Sequence, residues 1–289
     1  MARLRGADGV GLYRTEFLFL RQKGLPTEDE QFNAYRDLVL GMGGLPVTIR
    51  TLDLGADKAD AAGLVLRGED NPALGVRGVR LSLRYPAVFT TQIRAILRAA
   101  CYGPVRVLVP MVTQPDELIA VRTLFKLARQ ELKRENVDLP EKLALGAMIE
   151  VPAAAINVRA LLEHADFLAI GTNDLAQYVL AADRGNDALD NIYNPLQPAL
   201  LRLLAYVITE GRRAKKPVSL CGEIGGDTNF TALLLALGLC EFSMHPSQLL
   251  HVRDRLNALD HGMLRAQAPR ILRSRTHEEA EALLAAITG

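Results

Sequence analysis

The 289-residue sequence contains no tryptophan, and its three cysteines, Cys101, Cys221 and Cys240, form no close pair. It has no CxxC and no cysteine–histidine spacing of the zinc kind, which removes the common structural zinc modules. An odd number of separated thiols predicts reduced cysteines in a cytoplasm. No apolar run approaches the roughly 20 residues that cross a bilayer, so no membrane insertion is expected. Neither sign of charge dominates: 34 Lys and Arg face 33 Asp and Glu, for a formal net charge of +1. That balance argues against a dedicated binder of nucleic acid or of a membrane surface. A glycine-rich GxGxxG after the first apolar run is missing, which weakens a nucleotide-binding doubly wound sheet. Low-complexity linkers, short internal repeats and a marked domain boundary are missing too.

What is present is a core. The chain is 49% apolar, and its length suits one large α/β domain. Apolar runs bounded by turn residues alternate with helical patterns. Strands are expected at 10–17, 46–52, 78–83, 105–111, 143–150, 167–171, 217–221 and 241–244. Helices are expected at 27–40, 86–100, 115–135, after Pro152, and at 196–213, 229–237 and 278–287. Thr27 is placed to cap the first helix, and Pro152 suits a helix start. Repeated strand–helix units predict a parallel sheet covered by helices. The expected architecture is an α/β, single-domain (β/α)8 TIM-type barrel over residues 1–289, with a helical tail from about residue 262.

Polar residues cluster where the expected strands end. Arg14 and Glu16 lie in the first, Arg50 and Asp53 close the second, and Glu150 closes the fifth. Asn173 and Asp174 follow the sixth, and Cys221 and Glu223 the seventh. Strand ends of a barrel meet at one mouth, where barrel active sites lie. Arg14, Arg50, Arg77 and Arg184 can give bidentate contacts to phosphate or carboxylate, and Lys58 adds a point charge. Glu150 and Asp174 can supply two oxygen ligands and leave positions for substrate and water, as Mg2+ prefers. The Asn173 amide can orient a phosphoryl oxygen, and the Cys221 thiol can carry a proton.

Plainer roles compete. Single arginines are commonly surface residues or members of structural ion pairs. Asp174 could cap the helix that follows it. Cys221 could be a core thiol. Gly222, Gly225 and Gly226 could be turn residues rather than a phosphate cradle. His245 lies beyond the last expected strand, near the expected mouth.

Seven segments carry a family resemblance: GVGLYRTEFLF from Gly9, RTLDLGADK from Arg50, NPALGVRGVR from Asn71, GAMIEVPAAA from Gly146, IGTNDLAQYVLAADRGND from Ile170, LCGEIGGD from Leu220 and EFSMHPSQL from Glu241. Together they resemble the phosphoenolpyruvate-binding C-terminal domain of enzyme I of the bacterial phosphotransferase system. Pyruvate phosphate dikinase and phosphoenolpyruvate synthase are its wider relatives. The resemblance implies a (β/α)8 barrel that binds phosphoenolpyruvate and Mg2+. It implies that Arg14, Arg50 and Arg184 hold phosphate and carboxylate, with Lys58 and Arg77 lining the site. Asn173 and Asp174 would contact the phosphoryl group, and Glu150 and Asp174 the metal. Cys221 would be the catalytic acid at the methylene carbon as pyruvate forms.

The sequence also departs from the family. GADK at Gly55–Lys58 replaces a two-glycine segment, and Ala169 stands where serine is usual. GEIGGD replaces GEMAGD, and MHPSQ a serine-rich segment. None of the five histidines (His164, His245, His251, His261, His277) sits in a phosphoacceptor context. The resemblance therefore implies a longer polypeptide whose N-terminal domain carries that histidine, a phosphocarrier protein as partner, a homodimer and a cytoplasmic location in sugar transport. Two alternatives stand beside it: the corresponding domain of a dikinase or synthase, and a non-catalytic phosphoenolpyruvate-sensing module.

Overall fold

The computed structural model describes residues 2–21, 24–55, 69–189 and 191–288. The chain folds as two compact units, Asp8–Met148, and Met1–Ala7 together with Ile149–Gly289.

The Asp8–Met148 unit is built on β1 (Val10–Arg14), β2 (Val47–Arg50), β3 (Val105–Val109) and β4 (Ala144–Ile149), whose last residue opens the other unit. All pair in parallel with their sequence neighbours: Arg14 with Arg50, Arg50 with Leu108, and Val109 with Ala147. Parallel pairing requires crossovers, and helices supply them. These are α1 (Glu16–Leu20), α2 (Glu28–Met42), α3 (Val79–Arg84), α4 (Pro86–Ala99) and α5 (Pro115–Arg134). Thr27 caps α2 as expected: its hydroxyl accepts from Glu30 N, and Glu30 accepts from Thr27 N at 2.7 Å. Pro86 sits in the first turn of α4, where its missing N–H costs nothing. Phe89, Gln92, Ile93, Ile96 and Leu97 line the buried face of α4, the spacing of an amphipathic helix.

The expected strand at 78–83 is a helix instead, α3. Gly78 adopts φ +56° where a Cβ would run into the Met111 side chain, and Val79 N donates to Pro110 O. That turn launches the segment as a helix. Val79, Leu81 and Ser82 are its buried residues, so two of the apolar positions mimic a strand's alternation while serving a helical face.

The second unit carries β5 (Leu168–Ile170), β6 (Val218–Leu220) and β7 (Glu241–Phe242), again parallel and in sequence order. Its helices are α6 (Pro152–Ile156), α7 (Val158–His164), α8 (Thr172–Leu180), α9 (Pro198–Arg213), α10 (Thr228–Leu237), α11 (Leu249–Asn257), α12 (His261–Ile271) and α13 (His277–Thr288). The N-terminal residues belong here: Arg5 Nη1 donates to Pro246 O at 2.9 Å, and Arg253 Nη2 donates to Gly6 O at 2.6 Å.

Strands in sequence order, joined through helices, define the α/β class of the TIM-type barrel; a doubly wound sheet would reverse its order. Seven strands occur among the described residues, against the eight expected, the missing one being the segment that forms α3. No helix among the described residues is long and apolar enough to cross a membrane.

Candidate functional site

In the Asp8–Met148 unit the strand ends gather three arginines around two acids. β1 and β2 are in register at Arg14 and Arg50. The chain leaves β2 through Asp53, and Glu16 follows β1 as the first residue of α1. Arg50 Nη2 lies 3.0 Å from Glu16 Oε1, and Nη1 lies 3.3 Å from Asp53 Oδ2. Arg77 grips Asp53 in bidentate fashion, Nε to Oδ1 at 3.0 Å and Nη2 to Oδ2 at 2.8 Å. Glu16 Oε1 also accepts the Asp53 N–H at 3.1 Å.

The two acids respond oppositely to this setting. Burial by itself would raise the Asp53 carboxyl, but hydrogen bonds from Arg77 and the charges of Arg50, Arg77 and Arg14 hold it below its ordinary value. Burial pushes Glu16 up, the Arg50 charge offsets this in part, and the Asp53 charge adds to the rise. Among the described residues three arginines face two acids here, and guanidinium forks match the geometry of a doubly charged oxyanion.

The second unit has its own group of carboxylates, an amide and a thiol. Glu150 follows β4 and is 2% exposed; Asp174 lies in the first turn of α8 and is 8% exposed. One oxygen of each lies within 4.8 Å of the other. Buried carboxylates at this separation offer hard oxygen donors of the kind that suit a divalent ion. The N-cap of α8 is Gly171, so Asp174 is not the capping residue. Arg184, an exposed residue, approaches Asp174 Oδ1 at 3.8 Å, and its N–H donates to Gln177 Oε1 at 3.3 Å.

Asn173 is held on three sides. Its Nδ2 donates to Glu223 Oε1 at 3.0 Å, its Oδ1 accepts from Glu223 N at 3.1 Å, and its carbonyl accepts from Tyr193 Oη at 3.1 Å. Burial raises the Tyr193 phenol, partly countered by Arg184. Cys221 is half-buried after β6; its N–H and its Sγ both donate to Ile170 O, at 3.0 and 3.4 Å. Gly222 comes so close to α8 that a Cβ there would meet Thr172 Oγ1 at 1.7 Å. Thr172 Oγ1 itself is buried with no hydrogen-bond partner among the described residues.

A family model described as "PEP-utilising enzyme, PEP-binding domain", PEP being phosphoenolpyruvate, matches residues 1–261. The chain belongs to this family. Among its curated relatives, a phosphoenolpyruvate-protein phosphotransferase of Cupriavidus necator is 51% identical over 253 residues, covering 87% of this chain and 43% of the relative. One of Buchnera aphidicola is 40% identical over 283 residues, covering 98% and 50%. Multiphosphoryl transfer protein 1 of Escherichia coli is 40% identical over 283 residues, covering 98% and 34%. The chain thus spans half or less of these relatives. A citrate lyase structure from Burkholderia xenovorans shares the fold, with a TM-score of 0.50 at 16% identity over 92% of this chain and 89% of that one.

The sequence expectations fall unevenly on this PEP-binding family member. In the first unit Arg14, Arg50 and Arg77 come together; Lys58 lies outside the described residues. In the second unit Glu150, Asp174 and Arg184 come together, and Asn173 is joined to the Cys221–Glu223 loop. The Gly225 and Gly226 amides donate into their own turn, to Gly222 O and Glu223 O, as turn residues do. His245 is exposed and bonds locally to Ser247, its Nδ1 lying 2.8 Å from Oγ. Glu16 and Asp53 stood out only as strand-end acids; their pairing with Arg50 and Arg77 is new. Tyr193 carried no signal, since only the fold brings it to Asn173.

Proposed function

We propose that this chain is the substrate-binding domain of a phosphoenolpyruvate-protein phosphotransferase. It binds phosphoenolpyruvate with Mg2+ and releases pyruvate once the phosphoryl group passes to a histidine on a separate N-terminal domain. The observation that carries this reading is the Arg14–Arg50–Arg77 cluster, whose cations outnumber the acids beside them among the described residues. The names of these curated relatives support phosphotransferase over dikinase or synthase.

In this proposal Arg14, Arg50, Arg77 and Arg184 hold the phosphate and carboxylate, Lys58 adds charge, and Asn173 orients a phosphoryl oxygen. Glu150 and Asp174 hold the Mg2+, which neutralises phosphoryl charge when bound. The P–O bond to the enol oxygen breaks, and its electron pair stays on that oxygen. The resulting enolate takes a proton at its methylene carbon from the Cys221 thiol. The phosphocarrier protein, the homodimer and a role in sugar transport belong to the full-length enzyme in the same proposal. A cytoplasmic location agrees with three free cysteines.

Calorimetric titration with phosphoenolpyruvate, with and without Mg2+, tests the reading. Saturable binding that strengthens with Mg2+ is expected, and heat of dilution alone at millimolar ligand would refute it. Glu150→Gln and Asp174→Asn should each weaken the Mg2+ dependence. A non-catalytic sensing module would bind equally well but would not support phosphoryl transfer when the N-terminal domain is added in trans.

A further inference from the structure

The strand-end arginines of the first unit rest on a buried chain of hydrogen bonds that runs away from them into the helical layer. Its centre is Gln92 on the buried face of α4, 1% exposed. Gln92 Nε2 donates to Thr15 Oγ1 and to Tyr35 Oη, both at 3.2 Å, while Oε1 accepts the Leu52 N–H at 2.9 Å. Thr15 Oγ1 in turn donates to Arg50 O at 3.0 Å. At the far end Tyr35 Oη donates to Gln31 Oε1 at 3.2 Å, and Gln31 Nε2 donates to Pro26 O at 3.1 Å.

The donor count allows this chain one arrangement. Each hydroxyl has a single proton, and both protons are committed outward, Thr15 to Arg50 and Tyr35 to Gln31. Each hydroxyl must therefore accept, and the two N–H bonds of one amide are what it accepts. Reversing the Gln92 amide would face its oxygen to two acceptors and its NH2 to the Leu52 N–H. Thr15, Gln31 and Tyr35 are also 0–1% exposed, so water cannot substitute.

The chain grips the backbone on both sides of the arginine–acid cluster. Thr15 holds the Arg50 carbonyl, and Gln92 holds the Leu52 amide two residues on, just before Asp53. Arg50 reaches Glu16 and Asp53 from this pinned segment. We infer that Gln92, seconded by Tyr35, is a positioning residue that fixes the Arg50–Asp53 segment, and hence the Arg50 guanidinium, for the incoming anion. The inference rests on the phosphoenolpyruvate reading above. Bidentate recognition is steep in distance, and a displacement near 1 Å is enough for large losses.

Three variants separate positioning from mere stability. Gln92→Leu keeps the bulk and removes all three bonds. Tyr35→Phe removes one hydroxyl at the far side of the chain. Leu118→Ala, in the fully buried face of α5, is the destabilised control outside the network. Phosphoenolpyruvate affinity is measured by calorimetry with Mg2+ and melting temperature by calorimetric scan. The Nε–Hε resonance of Arg50 is recorded by NMR without ligand. Gln92→Leu should lose about tenfold or more in affinity and shift or broaden the Arg50 resonance. Tyr35→Phe should lose about threefold, and Leu118→Ala should leave affinity and resonance unchanged even where it melts earlier. Wild-type affinity and an unmoved Arg50 signal in Gln92→Leu would overturn the inference. If that variant does not fold, wild-type behaviour in Tyr35→Phe would do so. Should the wild type bind no phosphoenolpyruvate, the functional reading falls, while the Arg50 resonance still decides whether Gln92 positions the arginine.

Discussion

Asn173 and Glu223 hold each other through two reciprocal hydrogen bonds, amide to carboxylate at 3.0 Å and backbone N–H to amide oxygen at 3.1 Å. The pair fixes which end of the Asn173 amide is nitrogen, since the reverse would oppose two donors and two acceptors. The second hydrogen of Nδ2 then remains to meet an acceptor such as a phosphoryl oxygen. Glu223→Ala removes the orienting acceptor but keeps the backbone bond. It should weaken phosphoenolpyruvate binding about fivefold, the worth of roughly 1 kcal/mol. Glu223→Gln keeps an acceptor in place and should bind like the wild type. Titration of both variants checks this; equal affinity in Glu223→Ala and wild type would remove Glu223 from the site.

Gly222 is set against Thr172 by space. A Cβ at 222 would meet Thr172 Oγ1 at 1.7 Å and the Thr172 backbone nitrogen at 3.0 Å. Gly222→Ala should therefore destabilise the fold by about 1–3 kcal/mol through overpacking. Thr172→Ala deletes the hydroxyl that obstructs most, and that hydroxyl has no hydrogen bond to lose among the described residues. The double variant should recover part of the loss. Denaturant unfolding of all four proteins gives the coupling, and strict additivity would show that the clash lies elsewhere.

The arginine–acid cluster should leave opposite marks on pH stability. The Asp53 carboxyl is held low by Arg77 and Arg50 against the pull of burial. Its contribution is present above the ordinary carboxylate value and is lost as pH falls through the folded value. Asp53→Asn should cost about 3 kcal/mol at pH 7, and the gap to wild type should close in strong acid. Glu16 is raised by burial, so ionising it costs the folded state. Wild type should lose stability relative to Glu16→Gln as pH rises from the ordinary glutamate value through the raised one. Denaturant unfolding from acid to neutral pH resolves both trends. Curves that stay parallel to the wild type would show that neither acid titrates differently on folding.

Residues that announce themselves locally are legible in the sequence. Thr27 stands where a cap is expected, Pro86 and Pro115 open helices, and the apolar runs at 46–52 and 105–111 contain the buried strands β2 and β3. The strand-end placement of Arg14, Arg50, Glu150 and Asp174 was legible for the same reason, since an apolar run that stops at a charge marks where a strand leaves the core. What escaped was tertiary. At 78–83 a strand is expected, and the Gly78 turn against Met111 makes a helix of Val79–Arg84 instead. Gln92 reads as a polar interruption of an amphipathic helix, and its value appears only when Thr15, Tyr35 and Leu52 surround it. Tyr193 reaches Asn173 across 20 residues of chain with no periodic signal.

The Cys221 thiol gives the last test, because binding and proton transfer separate there. Its Sγ donates to Ile170 O at 3.4 Å. Serine in its place can donate to the same carbonyl, so Cys221→Ser should fold and melt like the wild type. It should also bind phosphoenolpyruvate with near-normal affinity, since in the proposed binding mode the arginines and Mg2+ supply the attraction. An alcohol is a far weaker acid than a thiol, and a positioned acid is worth about a hundredfold or more. Exchange of pyruvate methyl protons with deuterated solvent, followed by NMR with the N-terminal domain supplied in trans, should therefore fall by at least about that factor. Turnover to pyruvate should fall with it. If Cys221→Ser exchanges protons at the wild-type rate while binding normally, the proton comes from another group, and Cys221 is a thiol that closes the end of β6.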